Sequence, residues 1–248
     1  MENAIKINNL CKTFGTKKAV DNLTLQIKKG ELFSLLGVNG AGKTTTIKML
    51  CGLCSITSGD AVLDGFSITK ESLKVKEIIN VSPQETAIAQ NLTVKENLEF
   101  IAGIYGFSKI EQVQKAKEMI SQFNLQEFEN QKARTLSGGW QRKLSIAMAL
   151  ISNPKILFLD EPTLGLDVLG RRELWNLITS LKGKITIILT THYLEEAEYL
   201  SDRIGIMANG KLKALGTATE LIQKTDAKNF EDAFVQICTQ EKEVEYEN

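Results

Sequence analysis

The sequence predicts an α/β fold: a largely parallel sheet core, two half-buried strands near the N-terminus, and a helical lobe inserted into the core. Three observations carry this prediction. In the first and last thirds of the chain, short apolar runs alternate with segments of helical periodicity, the pattern of strand–helix–strand units. Two early segments alternate apolar with polar residues, as strands with one buried face do. Between these thirds, about residues 90–153, the text is helical throughout.

The elements follow in order. Ile5 and Ile7, then Leu23, Leu25 and Ile27, alternate with polar neighbours and read as two half-buried strands. Lys28-Lys29-Gly30 turns the chain into residues 31–36, a nearly continuous apolar strand, and a helix follows over about 43–50. Thr93-Val94-Lys95-Glu96 fits a capping box that opens a helix reaching about Tyr105. Ile110, Val113, Ala116, Ile120 and Phe123 recur at roughly helical spacing, and Ser137 opens a further helix through Ile151 whose second half is mostly apolar. Residues 155–160 and 184–190 read as buried strands. Leu174, Leu177, Ile178 and Leu181 mark one face of the helix between them, and 193–200 is another helix. Residues 204–207 and 212–215 flank Asn209-Gly210, a strong two-residue hairpin turn. The expected domain covers 1–225, with a tail over 226–248 whose end, Glu241 to Asn248, is acidic, polar and expected to fray.

Bulk properties limit the function classes. A chain of 248 residues, 43% hydrophobic, buries a real core, and a formal net charge of +0 disfavours a nucleic-acid partner. The start lacks the long apolar stretch of a secretory leader, and no run approaches the roughly 20 apolar residues of a spanning helix. The chain is therefore expected to be soluble and cytoplasmic, with any membrane role supplied by a partner. Cys51 and Cys54 form a C-x-x-C with no second pair, and His192 is the one histidine. The two cysteines read as small apolar residues at a helix end rather than as a zinc or redox site.

Three segments carry chemistry. Gly37-Val38-Asn39-Gly40-Ala41-Gly42-Lys43-Thr44 matches G-x-x-x-x-G-K-[ST], and Thr45 continues it into the helix. Glycines let backbone N–H groups converge on phosphate oxygens, and the helix adds its positive end. Lys43 is placed to reach the β- and γ-phosphates and the Thr44 hydroxyl to ligate Mg²⁺. Ile156-Leu157-Phe158-Leu159-Asp160-Glu161 is an apolar strand ending in two acids. Asp160 is placed to hold the metal, and Glu161 to orient or deprotonate the attacking water. In Leu136-Ser137-Gly138-Gly139-Trp140-Gln141-Arg142-Lys143, Ser137 can cap a helix whose first amides the glycines leave uncovered. That makes a second anion site, one without a lysine.

Leu136 to Lys143 followed by Ile156 to Pro162 resembles the signature motif and Walker B segment of the ABC ATPase family, and the likeness runs in the family's order along nearly the whole chain. The resemblance implies a RecA-like phosphate-loop NTPase core, an N-terminal antiparallel β subdomain and an inserted helical signature subdomain. Phe14 sits where the family stacks an aromatic on adenine. Gln84 resembles the glutamine that touches Mg²⁺ and relays contact to the membrane partner. Gly165-Leu166-Asp167 resembles the D-loop, and His192 the switch histidine at the γ-phosphate. There are departures: Phe14 where Tyr is commoner, Leu164 where Ser often begins the D-loop, and Trp140 and Lys143 in place of the glutamine and arginine of many importers. None touches Lys43, Asp160, Glu161 or His192.

The resemblance further implies ATP and Mg²⁺ as ligands, a transmembrane permease subunit as partner, and head-to-tail pairing with a second copy or a homologous cassette. Ser137, Gly138 and Gly139 of one chain would then close on ATP held by the other. Residues 142–147, 161–167 and 230–234 look like the multidrug, antibiotic and sodium export branch. An import ATPase and a non-transport ABC ATPase are the alternatives. A phosphate-loop GTPase lacks support, since no Asn-Lys-x-Asp guanine reader occurs.

Overall fold

The computed structural model describes residues 2–239, so the acidic end of the chain lies outside the described residues. β1 (Asn3–Phe14) and β2 (Lys17–Lys28) form an antiparallel pair. β1 also pairs with β4 (Ser58–Leu63), which carries the short β5 (Phe66–Ser67), giving a four-stranded sheet ordered β2-β1-β4-β5. Ile5, Ile7, Leu23, Leu25 and Ile27 are all buried, as their alternation predicts.

The second sheet has six strands: β3 (Leu32–Leu36), β6 (Ile79–Ser82), β7 (Ile156–Asp160), β8 (Thr186–Thr191), β9 (Arg203–Ala208) and β10 (Lys211–Gly216). Their order is β10-β9-β3-β8-β7-β6. All neighbours are parallel except β9 and β10, which are joined through Asn209 (φ 51°) and Gly210 (φ 79°). Positive φ at both turn residues matches the right-handed strand twist. This sheet is covered on both faces. Ile156 and Phe158 of β7 enter a core shared with the antiparallel sheet, whereas Leu157 and Leu159 enter a core shared with the helical lobe. That two-sided burial is why the strand reads as a continuous apolar run rather than an alternating one.

The helices fill in around the sheets. α1 (Lys43–Leu50) follows β3, and α2 (Ser72–Ile78) precedes β6. The lobe comprises α3 (Val94–Ile104), α4 (Lys109–Gln122) and α5 (Gly138–Leu150). Thr93 and Glu96 complete the predicted capping box, and Ser108 with Glu111 forms a second one. The α4 stripe begins later than its spacing suggests. Ile110 is 82% exposed, while Ala116, Ile120 and Phe123 are buried. The second half of α5 is buried, and it is tied to β6 by Asn80 Nδ2 donating to Ala149 O (2.7 Å) and by the Ser82 and Ser145 hydroxyls (2.9 Å).

After β7 come α6 (Val168–Leu181), α7 (Leu194–Leu200), α8 (Ala218–Thr225) and α9 (Phe230–Thr239). Part of the expected tail is thus a packed helix: Phe230, Ala233 and Ile237 of α9 are buried, and a third core joins Phe230 and Ile237 to Ala197, Ile204, Ile206 and Leu221. Its apolar positions recur at i, i+3 and i+7, a period that the surrounding polar residues obscure.

Candidate nucleotide site

The carboxyl ends of β3, β7 and β8 meet at one edge of the parallel sheet, where ligands of open α/β sheets bind. The loop from Gly37 to Gly42 links β3 to α1. It is stitched to β8 by Gly37 N donating to Thr191 O (3.3 Å). Two of its glycines are required sterically. A Cβ on Gly37 would stand 2.3 Å from Met207 O, and one on Gly42, where φ is 106°, would stand 2.5 Å from Ala19 O. Gly42 is also the N-cap of α1 and offers no side-chain cap, so the first-turn amides face the loop. Lys43 is buried, and its Nζ donates to Gly37 O (2.6 Å) and Val38 O (3.3 Å).

The two acids at the end of β7 have different surroundings. Asp160 Oδ1 accepts from Thr44 Oγ1 (3.0 Å) and from Thr190 Oγ1 (2.5 Å). Glu161 takes a left-handed backbone, φ 49°, which is strained for a side-chain-bearing residue and is commonest at functional positions. Its amide donates to Thr190, and its carboxylate lies between Lys43 Nζ (3.4 Å) and His192 Nδ1 (2.7 Å). Thr190 therefore serves both acids, a role the sequence analysis missed. The available signal was a Thr pair closing an otherwise apolar strand.

A cleft of ≈ 530 Å³ gathers Phe14, residues 39–45, Gln84, Glu161 and His192, with Leu164 at its wall. Gly37, Val38 and Asp160 back this cleft through the bonds just described. The Phe14 ring is about half exposed and carries Lys12 Nζ at 4.7 Å from its centroid. Lys12 is itself buried and donates to Ser55 O (2.6 Å), so the ring that lines the cleft has a fixed cation against it. Gln84 is held from the lobe: Arg142 of α5 donates to Pro83 O (2.6 Å) and Gln84 O (2.5 Å). Burial pushes the Arg142 guanidinium below its usual range.

Ser137, Gly138 and Gly139 are not in that cleft. They line a separate one of ≈ 340 Å³ with Gly165, Leu166 and Asp167. Ser137 occupies the N-cap position of α5 with extended backbone, but its hydroxyl makes no cap bond, contrary to the expected capping role. Asp167 instead caps α6, accepting from Gly170 N (2.7 Å). Trp140 and Lys143 have structural partners: Trp140 packs on Phe128 at 4.5 Å, and Lys143 lies 3.9 Å above the Trp140 ring and bonds Glu173 at 2.8 Å. Cys51 closes α1 in the core, where burial pushes its thiol far up. Cys11, Cys51, Cys54 and Cys238 are all free thiols.

A glycine loop feeding a helix, a strand ending in two acids, and a second glycine-rich helix start define a phosphate-loop nucleotide-binding cassette. Comparison with known proteins agrees. The sequence profile described as ABC transporter matches residues 20–164. The chain is 40% identical over 221 residues to the linearmycin resistance ATP-binding protein LnrL of Bacillus subtilis, covering 89% of this chain and 71% of that one. It is 44% identical over 227 residues to human phospholipid-transporting ATPase ABCA3, covering 90% of this chain but 13% of the relative, so it corresponds to a small part of that protein. Among solved structures, an ATP-binding subunit of an ABC transporter superposes with a TM-score of 0.83 at 27% identity, covering 94% and 99% of the two chains. A dimeric cassette bound to ADP and Pi superposes with a TM-score of 0.78 at 28% identity, covering 86% and 98%. The chain belongs to the ABC transporter family, as one of its ATP-binding cassettes.

Proposed function

We propose that this chain binds and hydrolyses ATP as the energy-supplying subunit of an ABC exporter, working on a separate membrane permease. The observation that carries the reading is the single cleft in which the glycine loop, Lys43, the Thr44–Asp160 pair and the Glu161–His192 pair converge. In it Phe14 stacks on adenine, and the amides of residues 39–45 with Lys43 hold the phosphates. Glu161 orients and deprotonates the attacking water, and His192 carries the γ-phosphate contact while holding the Glu161 carboxylate.

Thr44, Asp160 and Gln84 are the residues that would hold Mg²⁺. A hydroxyl, one carboxylate and an amide suit an ion that keeps waters and phosphate oxygens as its remaining ligands, and the 3.0 Å contact between Thr44 and Asp160 supports the pairing. Bound there, Mg²⁺ would neutralise charge on the phosphate oxygens.

Ser137, Gly138 and Gly139 complete the site from a second chain. Their helix start lines a cleft of its own and not the one that contains the phosphate loop of the same chain, and one of the structural relatives is a dimer. Among the described residues no helix is long and apolar enough to cross a membrane, which fits a cassette that is held to the inner face of the cell membrane by its permease. Export of a drug, antibiotic, lipid or ion is favoured by the printed functions of the relatives, linearmycin resistance and phospholipid transport.

Glu161→Gln tests the mechanism. ATP turnover should fall by about 10²–10⁴-fold, the share of a positioned general base. The variant should also accumulate as an ATP-dependent dimer on size exclusion. Unchanged turnover with no ATP-dependent dimer overturns the mechanism.

A further inference from the structure

One buried acid is left unused by the chemistry above. Glu196, on α7, is fully buried, at 0% exposure. Its Oε1 accepts from Trp175 Nε1 on α6 (3.1 Å), and the hydroxyls of Thr163 and Thr191 lie near the same carboxyl. Among the described residues, Glu196 Oε2 and Thr163 Oγ1 are buried with no hydrogen-bond partner. An isolated buried carboxylate is costly, and one beside a second acid more so. Burial first, and the nearby Glu161 charge in addition, push the Glu196 carboxyl above the usual carboxylate range. A neutral carboxyl resolves the geometry, because it has one O–H to give to an orphan oxygen while its other oxygen takes the indole N–H.

The three partners lie at informative places. Thr163 is two residues beyond Glu161, Thr191 immediately precedes His192, and Trp175 is on the helix that Asp167 caps. These are the segments whose relative placement sets the 2.7 Å contact between Glu161 and His192. Glu161 also holds a left-handed backbone that must be over-determined by its surroundings.

We infer that Glu196 is a positioning residue for ATP hydrolysis: from behind the cleft its side chain pins the segments after β7 and β8 to α6, and so fixes Glu161 against His192. It touches no nucleotide and works only through these neighbours. The inference rests on the ATPase reading given above.

The test compares turnover and ATP affinity in Glu196→Leu, Glu196→Gln and Thr163→Val. Loss of the polar tie in Glu196→Leu should lower kcat by about tenfold or more, since small misplacements of catalytic groups cost on that scale, while KM and the affinity for a fluorescent ATP analogue stay unchanged. Glu196→Gln, which keeps a donor and an acceptor and needs no proton, should retain near wild-type kcat. Thr163→Val should lower kcat by about threefold with KM again unchanged.

If Glu196→Leu does not fold, Thr163→Val and Glu196→Gln still decide. Unchanged kcat in Thr163→Val, or a Gln variant as impaired as the Leu variant, overturns the inference. So does a KM that rises in step with the loss of kcat. A wild-type chain with no ATP turnover overturns the functional reading itself and this inference with it.

Discussion

The two glycine-rich helix starts of the molecule, at α1 and α5, are built in opposite ways. The phosphate-loop region is assembled from afar. Gly37 is bonded to Thr191, Thr44 to Asp160, and Glu161 lies between Lys43 and His192, so three strand ends and a helix are fastened into one cradle. The region at Ser137 is local. It consists of three consecutive residues at the start of α5, has no cap bond, and shares its cleft with Trp140 and Lys143 of the same helix and with the segment from Gly165 to Glu173. One has its own cation at the loop, and the other is a helix start whose lining lysine, Lys143, is bonded to Glu173. On the proposed reading, two copies of one chain would enclose a γ-phosphate with Lys43 of one copy, while Lys143 of the other stays engaged by Glu173.

Breaking each region separately should expose the difference. Lys43→Ala should weaken ATP binding to the single chain by about a hundredfold, the scale of a charge-assisted hydrogen bond of about 3 kcal/mol, read by nucleotide titration. Gly139→Asp places a carboxylate at the α5 start. It should leave that single-chain affinity intact yet reduce turnover by about a hundredfold, as removal of transition-state donors does. Mixing the two dead variants should restore activity that neither has alone, because a mixed pair holds one intact composite site. A mixture as inactive as its parts would place both regions in one chain's site.

The adenine side sharpens the contrast on a smaller scale. Phe14→Ala should raise KM for ATP by about tenfold, within the range of base–aromatic stacking. Lys12→Met, which removes the cation against the ring together with its bonds to Ser55, should raise it by about threefold. Neither change should alter kcat, since both act away from Glu161.

The smallest effect expected is on stability. The Glu196 carboxyl is held above its ordinary value of 4.5. Below that pH the folded and unfolded chains are both protonated there, and the group has no net influence. Above it the unfolded chain ionises while the folded chain stays neutral, so folded stability is lost as pH rises toward the folded value. Glu196→Gln removes this loss. Its melting temperature relative to wild type should therefore climb with pH above about 4.5, as followed by thermal unfolding across a pH series. A difference independent of pH would mean that Glu196 is ionised in the folded state.

Legibility from sequence tracked how local the cause was. The loop at residues 37–44, the capping box at Thr93 and the Asn209–Gly210 turn were readable because each depends on a few adjacent residues. Residues 51–90 were not readable in the same way. β4, β5 and the four-residue β6 are short, and they are held by pairing with β1 and β7 rather than by their own pattern. β6 nonetheless aims Gln84 into the cleft. Thr190 and Glu196 were missed for a related reason: a buried polar residue in an apolar context shows its purpose only through its partners.

The order of the residues settled that this chain would carry a nucleotide loop, a strand ending in two acids and a separate glycine-rich helix start, since each is a local arrangement of backbone and side-chain chemistry. Folding settled which of them meet. Parallel pairing of β7 and β8 with β3 brings Asp160, Glu161 and His192 onto the loop, while the path of α3 to α5 leaves Ser137 facing elsewhere. Distances between strand ends are properties of the sheet, and no stretch of text encodes them alone.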